Sequence, residues 1–493
     1  MQMAKHKRAA ALLVLAAALA LPTRLWAGGF TITILGGRRT AMSTNLARPD
    51  DITALFHNPA GLADLRGVRV HLSTSLTFLN TEFGLMALDP ERFPEINPAG
   101  CGEPGSDPCP WPIDSEGYYV DEIEPERYFG ILPYLGASTD LGFASSRLKD
   151  VVVSAAVYAP DFYGAFLPDD APTAYHIIEG SFLVLATTVG AGWRINRYVS
   201  VGANLSYNYM RLSYAQKMST IDALTPAGQA PDGVARAAQS LLGDFRLDYT
   251  GVDHGMGWGA GVLVNPLPWL ALGFNYNGAT PARFEGDLSL RALGNLVKDQ
   301  PDALANNLRA FGYKVPVGLT VEMPIPHSLQ FGVNFAPLWW LEVGIDYRLW
   351  LYSFYKKQDL IPHYAADDPG KEEPLSRESL SRDKRYHESY ELAGGVLLRP
   401  LTRYRGLELM LGTFFDQSPI PDETFTMDNP SLSQIALSMG ARALFAGHWR
   451  VAASYMVIWY LERDVTTSET SPPTNARGRG LAHLPGIELE YVF

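Results

Sequence analysis

The ten histidines of this 493-residue chain are the first residues to test for chemistry. Paired imidazoles at short spacing hold zinc, and lone ones move protons. None stands in an HxH, HExxH or HxxxH arrangement, so no metal is expected and no cofactor is implied. No GxSxG nucleophile elbow occurs either. His71 and His254 fall on segments that read as strands, where a lone imidazole serves as hydrogen-bonded filler. In "HGMGWGAGV", Gly255, Gly257, Gly259 and Gly261 have the density of a phosphate loop, but no strand-then-helix context surrounds them. They alternate with Met256, Trp258, Ala260 and Val262, so they share one face of a strand. That face is expected to point into a lumen and leave room for a ligand or an inserted segment. Cys101 and Cys109 lie in "GCGEPGSDPCPW", a loop by its Pro and Gly content. In an oxidising compartment this pair is expected to form a small disulfide, a staple rather than a reactive thiol. The chemistry-bearing residues describe no enzyme.

The elements that carry these residues begin with an export signal. Lys5, Lys7 and Arg8 precede an unbroken apolar run of 13 residues, Ala9 to Leu21, and Ala27 offers a small residue for cleavage. Such a run is a signal core, too short to span a bilayer as a helix. Residues 1–27 are expected to be removed. Losing Lys5, Lys7, Arg8 and Arg24 takes the net charge from −12 to −16, which excludes nucleic acid as a partner because phosphate binding needs clustered Lys and Arg.

No apolar run long enough for a spanning helix follows. Yet charged residues are only 19%, and aromatics reach 11%, a composition that suits strands meeting lipid with alternate residues. In "WWLEVGIDYRLWL", Trp339, Leu341, Val343, Ile345, Tyr347, Leu349 and Leu351 share a face against Glu342, Gly344, Asp346 and Arg348. "YVSVGANLSYNYM" and "WRVAASYMVIWYL" repeat the pattern. Alternation over about ten residues with aromatics near both ends fits a tilted membrane-crossing strand, longer than the strands of soluble sandwiches. The chain ends "PGIELEYVF", with Ile487, Leu489, Tyr491 and Phe493 on one face. This resembles the terminal signature by which outer-membrane barrels are recognised, so the barrel-assembly machinery is an expected partner. The fold class is therefore all-β: a transmembrane antiparallel barrel over residues 66–493. Strands are expected to begin near residues 66, 127, 149, 181, 198, 252, 268, 313, 338, 387, 404, 432, 448 and 482. Fourteen is even and puts both termini in the periplasm, with short periplasmic turns and long extracellular loops.

Several ordered stretches resemble the FadL family of outer-membrane transporters for hydrophobic compounds. They are "DDITALFHNPAGLADL" with Asn58-Pro59-Ala60, "GMGWGAGVLVNPLPWLALGFNYNGATPARFEGDL", "PIPHSLQFGVNFAPLWWLEVGIDYRLWLYS" and "DQSPIPDETFTMDNPSLSQIALSMGARAL". The resemblance implies that residues 28–65 form a hatch inside the barrel, with Asn58, Pro59 and Ala60 as its motif. Irregular backbone at membrane depth is tolerated only where protein or lumen water surrounds it. It further implies a monomer embedded among outer-membrane lipid and lipopolysaccharide that imports long-chain fatty acids, with aromatic hydrocarbons as the alternative cargo. The route runs from an apolar loop groove to a lumen site, and then sideways through the wall when the hatch moves. The loops around 216–245 and 291–312 read as helical pieces. In the second, Leu293, Leu296, Val297, Leu304, Leu308 and Phe311 recur at helical spacing and are the groove candidates. A general polar-solute porin is the competing reading; it predicts facing lumen charges and no plug.

Overall fold

The computed structural model describes residues 34–493 except 99–100, 102–107, 122, 125–126, 226–231, 295–296, 298–299, 301, 311, 374–376, 378–380, 401–405 and 428–429. The expected signal, residues 28–33, Leu296 and Phe311 lie outside the described residues.

Seventeen ladder segments form one sheet, and they make fourteen strands because three strands are each interrupted once. In chain order the continuous ones are β1 (Arg69–Leu85), β2 (Arg127–Asp140), β3 (Val151–Phe166), β4 (Glu179–Arg194), β5 (Val199–Met218) and β6 (Phe245–Leu267). Then come β7 (Leu270–Asn277 and Arg283–Ala292), β8 (Pro316–Glu322 and Ser328–Leu338) and β9 (Leu341–Trp350 and Leu360–Tyr364), each in two pieces. The ring finishes with β10 (Ser389–Leu398), β11 (Leu407–Asp416), β12 (Gln434–Phe445), β13 (Trp449–Val465) and β14 (Ala476–Val492). It closes where β1 pairs antiparallel with β14, from Arg69 opposite Val492 to Leu85 opposite Ala476. Closure leaves no open edge, as a spanning sheet in hydrocarbon requires.

The barrel is inside out relative to a soluble protein. On β1, Val70, Leu72, Leu76 and Phe78 are exposed while His71, Ser73, Ser75 and Thr77 between them are buried. A soluble sandwich would bury the first set; here lipid takes its place. Trp193, Tyr198, Trp269, Trp339, Phe445, Trp449 and Phe493 cluster outward near the ends with short links, forming an aromatic girdle.

Expected and observed strand starts agree closely, with two differences. β6 begins at 245 rather than near 252, and β14 at 476 rather than near 482. Both strands extend past the apolar band, where charged residues such as Arg246 with Asp248 and Arg479 with Glu82 pair outside the bilayer, so alternation alone cannot mark the start. Two of the three interruptions fall at prolines. β7 breaks across 278–282, which holds Pro281, and β8 across 323–327, which holds Pro324 and Pro326; a ring nitrogen cannot donate to the ladder. Between β2 and β3, pairing stops at Gly130 and resumes at Tyr134, a lapse flanked by Pro133 and Pro160.

Candidate functional site

Residues 34–65 lie within the ring and are almost wholly buried. They contain a short helix, α1 (Gly37–Met42), one helical turn, α2 (Ala54–His57), and a 3-10 turn, Pro59–Asp64. Asn58 is extended and caps the last of these: its Oδ1 accepts from the Ala60 N–H at 3.2 Å, and Pro59 occupies the first position, where its lost N–H costs nothing. The Asn58 Nδ2 donates to the Leu46 carbonyl at 2.9 Å. The turn sits hard against β5 and β6. A Cβ on Gly202 would lie 2.3 Å from the Pro59 carbonyl carbon, and one on Gly261 would lie 2.0 Å from the Asn58 Oδ1. Only glycine permits that approach. At the opposite wall α1 meets β10 to β14, where the Gly37 N–H donates to Glu488 at 2.6 Å. The segment therefore bridges the lumen from wall to wall.

Charge fixes it there. Buried Arg38 pairs with Glu342 on β9 and, at 3.1 Å, with Asp50. Asp50 in turn pairs with Arg442 on β12 at 2.5 Å. Arg39 reaches Glu391 on β10 at 2.5 Å, and Arg348 on β9 reaches the same carboxylate at 2.5 Å. Asp346 accepts the backbone N–H groups of Asn45 and Leu46 at 2.7 and 3.1 Å. The wall charges are thus met by the inner segment as well as by one another. Sequence reading placed Glu342, Asp346 and Arg348 on the lumen face but missed their partners. The adjacent Arg38 and Arg39, two neighbouring cations ahead of Asp50 and Asp51, were the available signal.

Between this segment and the wall lies a cavity of about 120 Å³, lined among others by Phe56, Tyr158, Asn208, Gly257, Trp258 and Trp350. The four alternating glycines of β6 all face inward and are buried. Gly261 receives the Asn58–Pro59 turn, Gly259 faces Asn204 and Asn277, and Gly255 and Gly257 lie under Thr280. Ring, amide and hydroxyl groups around one space can bind an apolar body and orient a polar end.

The long loops carry the helices α3 (Thr220–Leu224), α4 (Gly233–Leu242) and α5 (Ala303–Ala310). Of the groove candidates, Leu293 is half-buried and Val297 is buried within the main apolar cluster. Leu304 and Leu308 belong to α5, with side chains outside the described residues. Cys101 and Cys109 are bonded to each other.

The loops also contain a titrating group. Burial, reinforced by the nearby Glu95 charge, raises the Asp244 carboxyl to about 6, against the opposing Tyr175 hydroxyl, Lys217 ammonium and Gln239 amide. The folded loops therefore hold this proton more tightly than an opened chain, in which Asp titrates near 3.9. Its contribution to loop stability is full below about pH 4 and is lost as pH rises through about 6. Hydrogen exchange across 219–244, corrected for intrinsic rate, is expected to show more protection at low than at neutral pH, and Asp244→Asn to abolish the difference.

The profile of the family described as outer membrane protein transport protein (OMPP1/FadL/TodX) matches residues 153–493. No curated protein matches the chain. Among solved structures, a Pseudomonas aeruginosa FadL homologue is 16% identical, covering 96% of this chain and 99% of its own, with a TM-score of 0.68. The Pseudomonas putida toluene transporter TodX is 14% identical, with 96% and 99% covered and a TM-score of 0.62. The Ralstonia pickettii toluene transporter TbuX is 15% identical, with 93% and 97% covered and a TM-score of 0.58. At these identities the structures establish the fold alone. The family match spans more than two thirds of the chain, and with the closed fourteen-strand ring it establishes that the chain belongs to the OMPP1/FadL/TodX family of outer-membrane channels for hydrophobic compounds, which are not enzymes.

Proposed function

We propose that the chain imports hydrophobic compounds passively, with long-chain fatty acids as the first cargo and residues 28–65 as the hatch. The observation that carries this reading is the cavity bounded on one side by Phe56 of the inner segment and on another by Tyr158 and Pro160, beside the lapse between β2 and β3. Cargo captured by the extracellular loops enters this space; movement of the hatch then frees a lateral exit between β2 and β3 into the membrane. Each methylene withdrawn from water contributes about 0.8 kcal/mol, so an acyl chain binds without charged partners, and a second state is needed to release it. The barrel acts as a monomer with both termini in the periplasm, set among lipid and lipopolysaccharide and inserted by the barrel-assembly machinery. The likeness to two toluene transporters supports monoaromatic hydrocarbons as the alternative cargo.

The test combines single-channel conductance, with and without residues 34–65, with binding of a fluorescent long-chain fatty acid and its displacement by toluene. Near-zero conductance that rises on deletion, together with saturable binding, is expected. High conductance in the intact protein with no binding would leave a polar-solute porin. Displacement by toluene at lower concentration than by unlabelled fatty acid would move the cargo to the aromatic class.

A further inference from the structure

The wall has a second lapse in its ladder, bordering the same cavity as the β2–β3 lapse. The lower piece of β7 pairs with β6 up to Gly259 opposite Asn277, and the upper piece pairs from Val252 opposite Glu285 onward. Between them, residues 253–258 of β6 have no ladder partner on this side; with the two end residues tied by other bonds, 254–257 remain, a slot roughly four residues or about 13 Å long. Its ends are finished. The Gly278 N–H donates to the Trp258 carbonyl at 3.0 Å. At the other end the Asp253 carboxylate replaces a ladder carbonyl, accepting from the Arg283 N–H at 2.5 Å and the His254 N–H at 2.7 Å. Both rims are held from behind: β6 stays in register with β5 throughout, and Thr280 bridges Ile325 by two backbone hydrogen bonds. The slot is a built feature of the wall rather than a frayed strand.

One side chain lies on both sides of it. Trp258 is 49% exposed on the outer surface, yet it also lines the inner cavity together with Gly257, Gly278 and Thr280. Its indole occupies the space that a side chain at Gly278 would fill: a Cβ there would lie 2.4 Å from the Trp258 Nε1. It leans on Tyr276 at 5.3 Å between ring centroids. Met256 and Pro281 form the outer lip and are exposed. Unpaired backbone is tolerated at membrane depth only where it borders a cavity or water, and this seam borders the cavity. It lies seven to ten residues along β6 from Val264, the partner of Val199 at the start of β5, toward the end with long loops, hence at the external leaflet.

We propose that the seam between β6 and β7 is a second lateral port, through which hydrophobic compounds dissolved in the external leaflet exchange with the lumen cavity, and that Trp258 is its shutter. The inference rests on the proposed passage of hydrophobic cargo through that cavity, and it adds a route that does not pass through the loops.

The native thiols are bonded and no free cysteine is present among the described residues, so Ser206→Cys puts a single reporter thiol on the cavity wall. The full-length protein in liposomes is exposed to a maleimide carried on a long acyl chain in the membrane, and separately to a charged, water-soluble maleimide. Trp258→Ala is expected to raise the membrane-borne labelling rate roughly tenfold, as loss of one well-packed aromatic contact permits, while the water-borne rate stays unchanged. Trp459→Ala, at an exposed tryptophan on β13, serves as the control and is expected to change neither rate. An unchanged membrane-borne rate in Trp258→Ala, or an equal rise in both rates, would overturn the port. Failure of the proposed import is distinguishable, because the unaltered chain would then bind no fluorescent fatty acid.

Discussion

Glu391→Gln is expected to unseat the inner segment and turn a closed barrel into a leaking one. Glu391 is the carboxylate shared by Arg39 and Arg348, and all three are buried. Removing its charge takes from Arg39 its paired carboxylate, out of reach of water, while Arg348 keeps Asp346 at 3.3 Å. The cost of leaving such charge uncompensated is about 3–5 kcal/mol, comparable to what holds a segment of this size in place. The surrounding ring of backbone ladders does not depend on the pair, so the barrel should remain folded and heat-modifiable on a gel. Conductance should rise from near zero toward that of the chain lacking residues 34–65. Combining Glu391→Gln with Arg39→Met is expected to restore closure, since exchanging a buried ionic pair for apolar contact is often neutral. A closed single mutant would show that the ion pairs accompany the seating of this segment without controlling it.

Gly257→Trp should have the largest effect on cargo. A side chain on this inward glycine begins 2.9 Å from Ser206 Oγ and 3.1 Å from Asn208 Nδ2, both flexible ends that can turn aside, and an indole then fills most of the cavity of about 120 Å³. Since no main-chain contact is violated, assembly should survive. Fatty-acid affinity should fall at least about tenfold, the loss expected when roughly two methylenes' worth of burial is denied, with a matching drop in uptake. Unchanged binding and transport would mean that the cavity is not on the route.

The reach of the sequence can be judged at particular residues. Period-two alternation revealed the strands because inward and outward faces meet different solvents; it is ragged over β2, whose pairing is irregular. The same signal gave the inward glycines of β6. It could not show that β7 is broken: Pro281 stands in a segment that otherwise alternates, and only the register on either side reveals that six residues of β6 lose their ladder partners. The Arg39–Glu391 contact joins residues 352 apart, and no local pattern encodes a partner at that distance. Among the loop residues, helical spacing indicated the helix α5, which holds Leu304 and Leu308, while Leu293 and Val297 lie outside it; spacing cannot tell an apolar face turned to cargo from one turned to the neighbouring loop.

The wall-to-wall lodging of residues 34–65 also sets an order of events. The partners that anchor α1 follow it by 352 residues at Glu391 and 451 at Glu488, and the strand that closes the ring, β14, is the last of all. The segment therefore cannot complete its lodging until the last strands of the wall are in place. Contacts this distant in sequence make for slow folding. A variant that loosens the lodging will consequently show its defect twice, once as a leak in the finished barrel and once as a delay in making it.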